Sequence, residues 1–363
     1  MAKKQESRGA ASPPAVEATK SSLRRATLED VARDAGVSLS AASKVIRGAY
    51  GVSPEMASKV TSAVERLGYR PNTGARAMRG RSYTIGVVAL ELSSPFRAEV
   101  AQAISAELVH TPFQDIIVTG DTSAGRQKRI IEALLDRQVD GLVLVAPWLD
   151  VSWIQKVASQ VPVVAVALHG DPQNFDTVVD DDRLGAELVV DHLSSLGHQR
   201  IAHTSMPPAP TGGGFVLSHT ARAEGYVQAM ERRGLRPDVV ETFYSEEGGY
   251  RAGVEALSRA DRPTAIFAGA DIAALGVLRA AEELGLRVPE DLSVVGYDNI
   301  YVSTIKRVSL TTVDQSGQLT GAASARLLLE RIEGRLAPSR YVVAPRLLTR
   351  STSGPAPSIA GPD

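Results

Sequence analysis

One predicted helix carries outward-facing side chains whose types suit contact with nucleic acid. In the helix that follows Ser38, the 3.6-residue period places Leu39, Ser40, Ser43, Lys44 and Arg47 on the outer face. Hydroxyl and cationic groups on one helix face can donate hydrogen bonds to phosphates and base edges. The alternative is an ordinary solvated helix face, and the helix alone does not decide between the two.

The charge distribution favours nucleic acid as the partner of this segment. The chain has 363 residues and a net charge of −1. Residues 1–82 contain 15 Lys and Arg against 7 Asp and Glu, a net +8, whereas residues 83–363 contain 25 against 34, a net −9. Such asymmetry indicates a module that binds a polyanion, joined to an acidic one.

Other residue patterns that could indicate a catalytic, phosphate-binding or metal site are weak. There is no cysteine, so thiolate chemistry and disulfides are excluded. Gly212–Gly214 lacks the Lys-Ser/Thr of a phosphate-binding loop. His192 and His198 have no metal-ligand spacing, and Asp180–Asp182 fits a helix start better than a cation site. We therefore expect no enzyme activity, no cofactor and no metal.

Three short helices position the basic face. Thr27 and Asp30 form a capping-box pattern before a helix that Gly36 ends, and Ser38 can cap the second helix. Ser53-Pro54 starts the third helix, with a buried stripe of Val60, Ala63, Val64 and Leu67. This spacing predicts a helix-turn-helix unit, and the alternative is a generic three-helix bundle.

From residue 83 the pattern changes to β-branched apolar runs that alternate with amphipathic helices. This arrangement predicts parallel sheets covered by helices. The pattern restarts near residue 200, giving two arrays of about 100–120 residues each, so two α/β lobes that face a ligand-binding cleft are expected. The strands are predicted at 84–90, 115–119, 141–146, 162–167, 200–204, 240–244, 264–269 and 292–297.

The chain resembles the LacI/GalR family of bacterial transcription regulators. The resemblance starts with TLEDVARDAGVSLSAASKVIR at 27–47 and extends through LGYRPN at 67–72, SPF at 94–96, LGHQRI at 196–201 and VVGYDN at 294–299. It implies an N-terminal DNA-binding domain, a hinge helix, and a sensor of the periplasmic-binding-protein type that dimerises.

The family resemblance assigns DNA contacts residue by residue. Leu39, Ser40 and Lys44 match base-reading positions, and Lys44 should discriminate bases less sharply than the usual Arg because it is a point charge. In the hinge, Met78 matches a Leu that wedges into the central base step; the alternative is a plain linker. The positions near phosphates are matched by Thr27, Ser38, Ser43, Ser53, Tyr69 and Asn72, and Arg47 replaces the usual Asn there.

The resemblance also implies an effector site in the cleft. Its residues here are Phe96, Arg97, Arg222, Tyr244 and Asp298, with Asp181 as a weaker candidate. Arg97 introduces a cation that would favour a phosphorylated or acidic ligand, unless it forms a salt bridge to Glu91 or Asp121. Ala270 stands where an Asn is common, and an exposed Trp148 is expected either to line the cleft mouth or to be a surface contact.

We therefore predict a sequence-specific DNA-binding regulator, a repressor, controlled by a sugar or sugar derivative. A homodimer is expected to bind a pseudo-palindromic double-stranded operator. The alternative is a solute-binding receptor without DNA function. With no apolar signal or membrane-length run, the protein is expected to be cytoplasmic and without membrane contact. The predicted segments are a disordered tail at 1–26, the helix-turn-helix domain at 27–72, the hinge helix at 73–82, the sensor at 83–351 and a disordered tail at 352–363.

Overall fold

The computed structural model describes residues 25–46, 49–70 and 81–357. The chain divides into two compact units, Met1–Arg76 and Ala77–Asp363, and each is described by itself. Three predicted DNA-contact residues, Arg47, Asn72 and Met78, lie outside the described residues, as do hinge residues 73–80 and residues 1–24 and 358–363 of the predicted tails.

Three helices form the first unit: α1 (Leu28–Ala35), α2 (Leu39–Ile46) and α3 (Pro54–Leu67). The capping box at Thr27 is present, because its side chain accepts from the Asp30 amide while Asp30 accepts from the Thr27 amide. Gly36 ends α1 with φ of +66°, a left-handed conformation that favours glycine. This unit confirms the predicted helix-turn-helix arrangement.

The core of the first unit is small. Val31, Ala42, Val60 and Ala63 are fully buried where the three helices meet. The prediction that Leu67 completes the buried stripe is wrong, because its side chain is 37% exposed. Leu67 is the last residue of α3, one turn beyond Ala63, where the other two helices no longer cover it.

A six-stranded sheet forms the first lobe of the second unit, with strand order β13-β6-β4-β3-β1-β2. All its pairings are parallel. The elements up to the first crossing are β1 (Thr84–Ala89), α4 (Pro95–Leu108), β2 (Gln114–Thr119), α5 (Ala124–Leu135), β3 (Gly141–Val145), α6 (Val151–Ala158), β4 (Val163–Val166), β5 (Leu168–His169) and β6 (Asp176–Asp180).

A second six-stranded sheet forms the other lobe, with order β14-β12-β11-β10-β7-β9. It is parallel except for β14, which runs antiparallel to β12. The elements are α7 (Asp182–Ser195), β7 (Ile201–Ser205), β8 (Val216–Leu217), α8 (Ser218–Arg232), β9 (Asp238–Glu241), α9 (Glu246–Leu257), β10 (Ala265–Ala268), α10 (Asp271–Glu283), β11 (Ser293–Tyr297), a 3-10 turn (Tyr301–Thr304), β12 (Thr311–Asp314), α11 (Gly317–Ile332), β13 (Arg340–Val343) and β14 (Arg346–Leu348).

The two lobes are not successive halves of the sequence. Within the described residues the chain crosses between them after β6, after β12 and after β13. After the second crossing, α11 returns to the first lobe, where its Ala323 and Leu328 join the same apolar core as Val100 and Ile104 of α4. This helix therefore belongs to the core of the first lobe, although it follows β12 of the second lobe in the sequence. The strand expected at 240–244 begins earlier, at Asp238.

The segment predicted as a C-terminal tail packs against the second lobe. Thr352 is buried, and its hydroxyl donates to the carbonyl of Val294 over 2.7 Å. The Gly354 amide donates to the Ser293 hydroxyl over 3.0 Å. The predicted boundary at residue 351 is therefore wrong, because polar groups of 352–354 complete the hydrogen bonding of β11. No helix in the described segments is long and apolar enough to cross a membrane.

Candidate functional site

The exposed face of α2 presents the predicted base-reading residues together. Leu39 is 47% exposed, and Ser40 and Lys44 are exposed on the same helix. The inner side of α2 carries Ala42, which is fully buried. Packing therefore fixes the rotation of α2, and it leaves an apolar, a hydroxyl and a cationic group available to a partner.

The predicted phosphate-contacting hydroxyls cap helices. The Ser38 and Ser53 hydroxyls accept from the amides of Ala41 at 3.2 Å and Met56 at 3.3 Å, as the Thr27 hydroxyl does in α1. Helix N-termini attract phosphate through unpaired amides and the helix dipole. Two predicted residues differ in their surroundings: Ser43 is half-buried in α2, and Tyr69 packs against the core of the unit.

In the second unit, a cavity of about 60 Å³ lies where the carboxyl ends of strands from both sheets face each other. Ligands of open α/β sheets bind at this position. Five of the six predicted effector residues line the cavity, and Asp181 lies outside it. The side chains and backbone around it come from Ser94, Phe96, Arg97, Val145, Ala146, Val166, Ala167, Met206, Leu217, Ser218, His219, Arg222, Tyr244, Ala270, Asp298 and Gln315.

Asp181 is a helix cap, which explains why it is not in the cavity. Its carboxylate accepts from the Leu184 amide over 3.1 Å at the start of α7. The prediction that Asp180–Asp182 marks a helix start is confirmed, whereas the effector-site position predicted for Asp181 is not observed. The next residue, Asp182, points the other way and is completely buried.

Arg222 of α8 is held by groups from three parts of the chain. Its Nε and Nη2 donate to Oδ1 of Asp182 over 3.1 and 2.7 Å, and Nη1 donates to the carbonyl of Gly269. Its Cζ lies 3.4 Å from the centre of the Tyr297 ring. The other carboxylate oxygen of Asp182 is 2.6 Å from Nε2 of His169. The guanidinium is thus fixed before any ligand arrives.

The charges of this cluster are mutually dependent. Burial by itself raises the pKa of Asp182, but Arg222 and then His169 outweigh burial, so the pKa lies below the ordinary value. Burial alone would lower the pKa of Arg222, and Asp182 reverses this and raises it. Burial also raises the pKa of Asp180 well above its ordinary value, and its carboxylate accepts from the Tyr297 hydroxyl over 2.5 Å. This last contact joins the end of β6 in one lobe to the end of β11 in the other.

Asp298 presents a carboxylate with an unusual titration range. It follows β11 with φ of +117° and accepts a hydrogen bond from the Gln315 amide. Burial raises the pKa of Asp298 to about 7, against the lowering influence of Arg222. Gln315 belongs to the second crossing between the lobes, so this hydrogen bond depends on the relative position of the lobes.

Arg97 forms one of the two salt bridges considered from the sequence. Its Nη1 lies 2.5 Å from Oε1 of Glu91, and only 11% of its side chain is exposed. Asp121 pairs with Arg126 instead. The cation that Arg97 brings to the cavity is therefore balanced by a carboxylate from the chain itself.

Aromatic side chains from both lobes line the cavity: Phe96 from the first lobe, and His219 and Tyr244 from the second. Tyr244 contributes a buried hydroxyl, and burial raises its pKa to about 12. The expected exposure of Trp148 is wrong: the side chain is 8% exposed and stacks on His219 at 5.6 Å. The stacking explains the burial, because the imidazole covers the indole face.

Sequence reasoning missed several residues of this site, among them His169, Asp182, His219 and Gln315. Asp182 was visible as part of an acidic triplet, but its partners are 13 and 40 positions away along the chain. His192 and His198 are structural, as expected, and His198 hydrogen-bonds Thr264 and Ser293. In the described ranges, no group of His, Asp and Glu is placed to hold a metal ion.

The geometry agrees with comparisons to known proteins. Residues 27–72 match the family described as bacterial regulatory proteins, lacI family, and residues 190–353 match a periplasmic binding protein-like domain. Catabolite control protein A of Priestia megaterium is 32% identical over 324 residues, which is 88% of this chain and 96% of that protein.

Two solved structures are similar over most of the chain. The lac repressor dimer bound to operator and the anti-inducer ONPF is 29% identical, with a TM-score of 0.78, covering 91% of this chain and 100% of that one. The complex of the transcriptional regulator CelR with cellobiose is 32% identical, with a TM-score of 0.68 and the same coverage. These relatives are transcription regulators rather than enzymes. The helix-turn-helix unit, the two-lobed sensor and these similarities together show that the chain belongs to the LacI family of bacterial regulatory proteins.

Proposed function

We propose that this regulator is a homodimeric repressor whose operator affinity is controlled by a neutral, polyhydroxylated ligand, a sugar or sugar derivative, bound between the sensor lobes. The observation that carries the proposal is the set of hydrogen-bonding groups around the cavity. Arg222, Tyr244 and Asp298 are positioned by the fold, and each retains hydrogen-bonding capacity.

The donors and acceptors match sugar hydroxyls. A guanidinium has five N–H groups, and three of those on Arg222 are used by Asp182 and Gly269. The remaining two, with the Tyr244 hydroxyl, can donate to ligand oxygens, and the Asp298 carboxylate can accept from ligand hydroxyls.

The charge of the cavity favours a neutral ligand over a phosphorylated one. Both cations that line it have a carboxylate partner in the chain: Glu91 for Arg97 and Asp182 for Arg222. An anionic ligand would have to compete with these ion pairs. The relative solved with cellobiose supports a sugar as the ligand class.

For DNA, we propose that α2 of each subunit occupies the major groove of one half-site. Lys44 would donate to guanine, and Leu39 would contact a thymine methyl. The net +8 of residues 1–82 supplies phosphate attraction. The similar lac repressor structure, a dimer on its operator, supports this arrangement.

The ligand proposal is tested by thermal unfolding of the full-length protein with separate panels of neutral sugars, sugar phosphates and nucleobases. A neutral sugar should raise the Tm of the wild-type protein, and Asp298→Asn should reduce that shift. Arg287→Ala, which removes an exposed arginine paired with Asp291, should retain it. Stabilisation by sugar phosphates or nucleobases alone would show that the ligand class is wrong.

The DNA proposal is tested by selecting duplexes from a random pool and measuring their affinity. The selected duplexes should be pseudo-palindromic, and Lys44→Ala should lower affinity for them about 10-fold or more, since one good base contact contributes about 1–3 kcal/mol. Lys59→Ala, which removes an exposed lysine paired with Glu55 on α3, is the matched control. Recovery of no preferred sequence would contradict a sequence-specific function.

A further inference from the structure

We propose that residues 206–217, which we call the strap, limit the ligands of the cleft to a single sugar ring, and that Phe215 anchors this specificity-determining segment. The inference rests on the proposed function in one respect, because it takes a sugar as the ligand class. It adds a size limit and names the residues that impose it.

The strap leaves the second lobe, contacts the first lobe and returns. It joins β7 to α8, which pack together in the core of the second lobe. Between them, β8 of the strap pairs with β5, placing Leu217 opposite Leu168 of the first-lobe core. The Val151 amide, at the start of α6, donates to the Thr211 carbonyl over 2.7 Å. Backbone hydrogen bonds of the strap therefore connect the two lobes.

Phe215 is buried in the core of the first lobe. Its side chain is 7% exposed, and its ring centre lies 6.0 Å from that of Phe175. At Gly170 a Cβ atom would overlap with the Phe215 ring, so the absence of a side chain there lets the ring rest on the backbone. Because parting of the lobes at this edge would expose the ring to water, its burial opposes such parting.

The sequence of the strap leaves it little slack. Pro207, Pro208 and Pro210 each fix a backbone dihedral and stiffen the outward course. Gly212–Gly214 then reverse the chain with φ of +63°, +59° and +76°, a conformation that glycine adopts readily. At Gly212 a Cβ atom would lie 2.7 Å from Oδ2 of Asp150, so the tip lies directly on the first lobe. A stiff segment in contact at its tip cannot extend to follow a wider cleft.

The strap also contributes to the wall of the cavity. Its first and last residues, Met206 and Leu217, line the cavity, and the Pro207 carbonyl accepts from Nε2 of His219, another lining residue, over 3.0 Å. The cavity has about 60 Å³, whereas ordinary ligand pockets have about 300–1,000 Å³. Rearrangement of a flexible side chain such as Met206 can make room for one ring. A second ring would have to displace the strap and withdraw Phe215 from the first lobe.

The experiment measures access to the cavity with a single engineered thiol in the full-length protein. The chain has no cysteine, and Ser94 lines the cavity without capping α4 through its side chain, so Ser94→Cys adds one thiol there with little change in size. The probes are glucosyl-ethyl and maltosyl-ethyl methanethiosulfonate. In both, the thiolate displaces methanesulfinate and forms a mixed disulfide, so the probes differ only by one sugar ring.

Labelling rates are followed by intact-protein mass spectrometry and divided by the rates of the same variant unfolded in urea. In Ser94→Cys, the one-ring probe should react about 10-fold or more faster than the two-ring probe, because the latter needs a local opening. Adding Phe215→Ala should raise the two-ring rate about 10-fold or more and the one-ring rate less than about 3-fold, since the lost anchor favours that opening.

A second variant leaves every side chain in place. Two glycines inserted between Gly213 and Gly214 lengthen the tip of the strap, and a Cβ atom at Gly214 would meet nothing within 4 Å. This insertion should also raise the two-ring rate selectively, and it decides the matter if Phe215→Ala does not fold. Leu134→Ala truncates a buried side chain of α5 in the same core. It is the matched control for a general loss of stability and should leave the ratio of the two rates unchanged.

The contrary results are distinct. Equal rates of the two probes in Ser94→Cys, or no labelling by the one-ring probe in the folded protein, would overturn the size limit. Rates that rise equally for both probes, or a Leu134→Ala variant that behaves like Phe215→Ala, would show that Phe215 only stabilises the fold. If the labelling results are as expected but no sugar raises the Tm, the proposed function fails while the limit on access stands.

Discussion

Asp182 is the residue on which the buried charges of the cleft depend. It is fully buried, and it pairs with Arg222 through one oxygen and with His169 through the other. Removing one member of a buried ion pair leaves the other without compensation, which typically costs about 3–5 kcal/mol. Asp181, its neighbour, is an exposed helix cap that Asn can replace, since both side chains cap helices well.

We therefore expect Asp182→Asn to lower the free energy of unfolding of the sensor by about 3–5 kcal/mol, and Asp181→Asn to leave it nearly unchanged. Both tryptophans, Trp148 and Trp153, lie in the sensor, so their fluorescence during urea unfolding reports this unit. Equal effects of the two variants would contradict the assignment of the ion pair to Asp182.

Asp298 provides a pH-dependent contribution to stability. Its pKa in the folded protein is raised to about 7 from an ordinary 3.8, so the folded state retains a proton that the unfolded state has released between these values. The resulting stability is fully present below about pH 3.8 and is lost as the pH rises through about 7. For one proton the slope approaches about 1.4 kcal/mol per pH unit.

The measurement is the difference in unfolding free energy between wild type and Asp298→Asn, followed by tryptophan fluorescence from pH 4.5 to 8. The asparagine variant cannot titrate at this position, so wild type should lose stability relative to it as the pH rises, with the difference levelling off above pH 7. A pH-independent difference would show that Asp298 does not titrate in this range.

Among the elements, α1 illustrates a local structure that is secured by one cap. It has eight residues, too few to be stable alone in water. The Thr27 hydroxyl accepts from the Asp30 amide and donates to the Asp30 carboxylate over 2.8 Å. We expect Thr27→Ala to lower the stability of the first unit by about 1 kcal/mol.

Amide hydrogen exchange of residues 28–35 measures this effect, with protection falling about 5-fold, since that ratio corresponds to about 1 kcal/mol. Thr27→Ser keeps the cap and should retain protection. Thr61→Ala, at an exposed position in the middle of α3, is the control. Unchanged protection in Thr27→Ala would leave Thr27 with a DNA-contact role and no capping role.

The elements also show what could be predicted from sequence. The three helices could be predicted from sequence because their signals are local. These signals are a cap three residues from its partner, a glycine at a helix end and a proline in a first turn. The cavity residues Phe96, Arg222, Tyr244 and Asp298 came from family resemblance. His169 and Gln315 escaped prediction because their function depends on chain crossings that bring distant segments together. The burial of Trp148 likewise depends on His219, 71 positions away.

The whole molecule separates its two functions by charge. Residues 1–82 carry a net charge of +8 and are attracted to the DNA polyanion. Residues 83–363 carry a net charge of −9, so the sensor has little attraction to DNA. Within the sensor, the cavity cations are balanced by carboxylates. Binding of DNA should therefore depend on counterion release, whereas binding of a neutral ligand should not.

The expected result is a steep fall in operator affinity with salt in the full-length protein. Proteins that make six to ten phosphate contacts lose about 10³–10⁵-fold in affinity between 50 and 200 mM salt, and a dimer with two helix-turn-helix units belongs in this range. Affinity for the neutral ligand, measured by calorimetry over the same salt series, should change less than about 3-fold, because exposed charges far from a neutral ligand contribute little. A ligand affinity that falls as steeply as operator affinity would mean that the cleft recognises a charged ligand. A flat operator response would mean that the basic end does not bind the phosphate backbone.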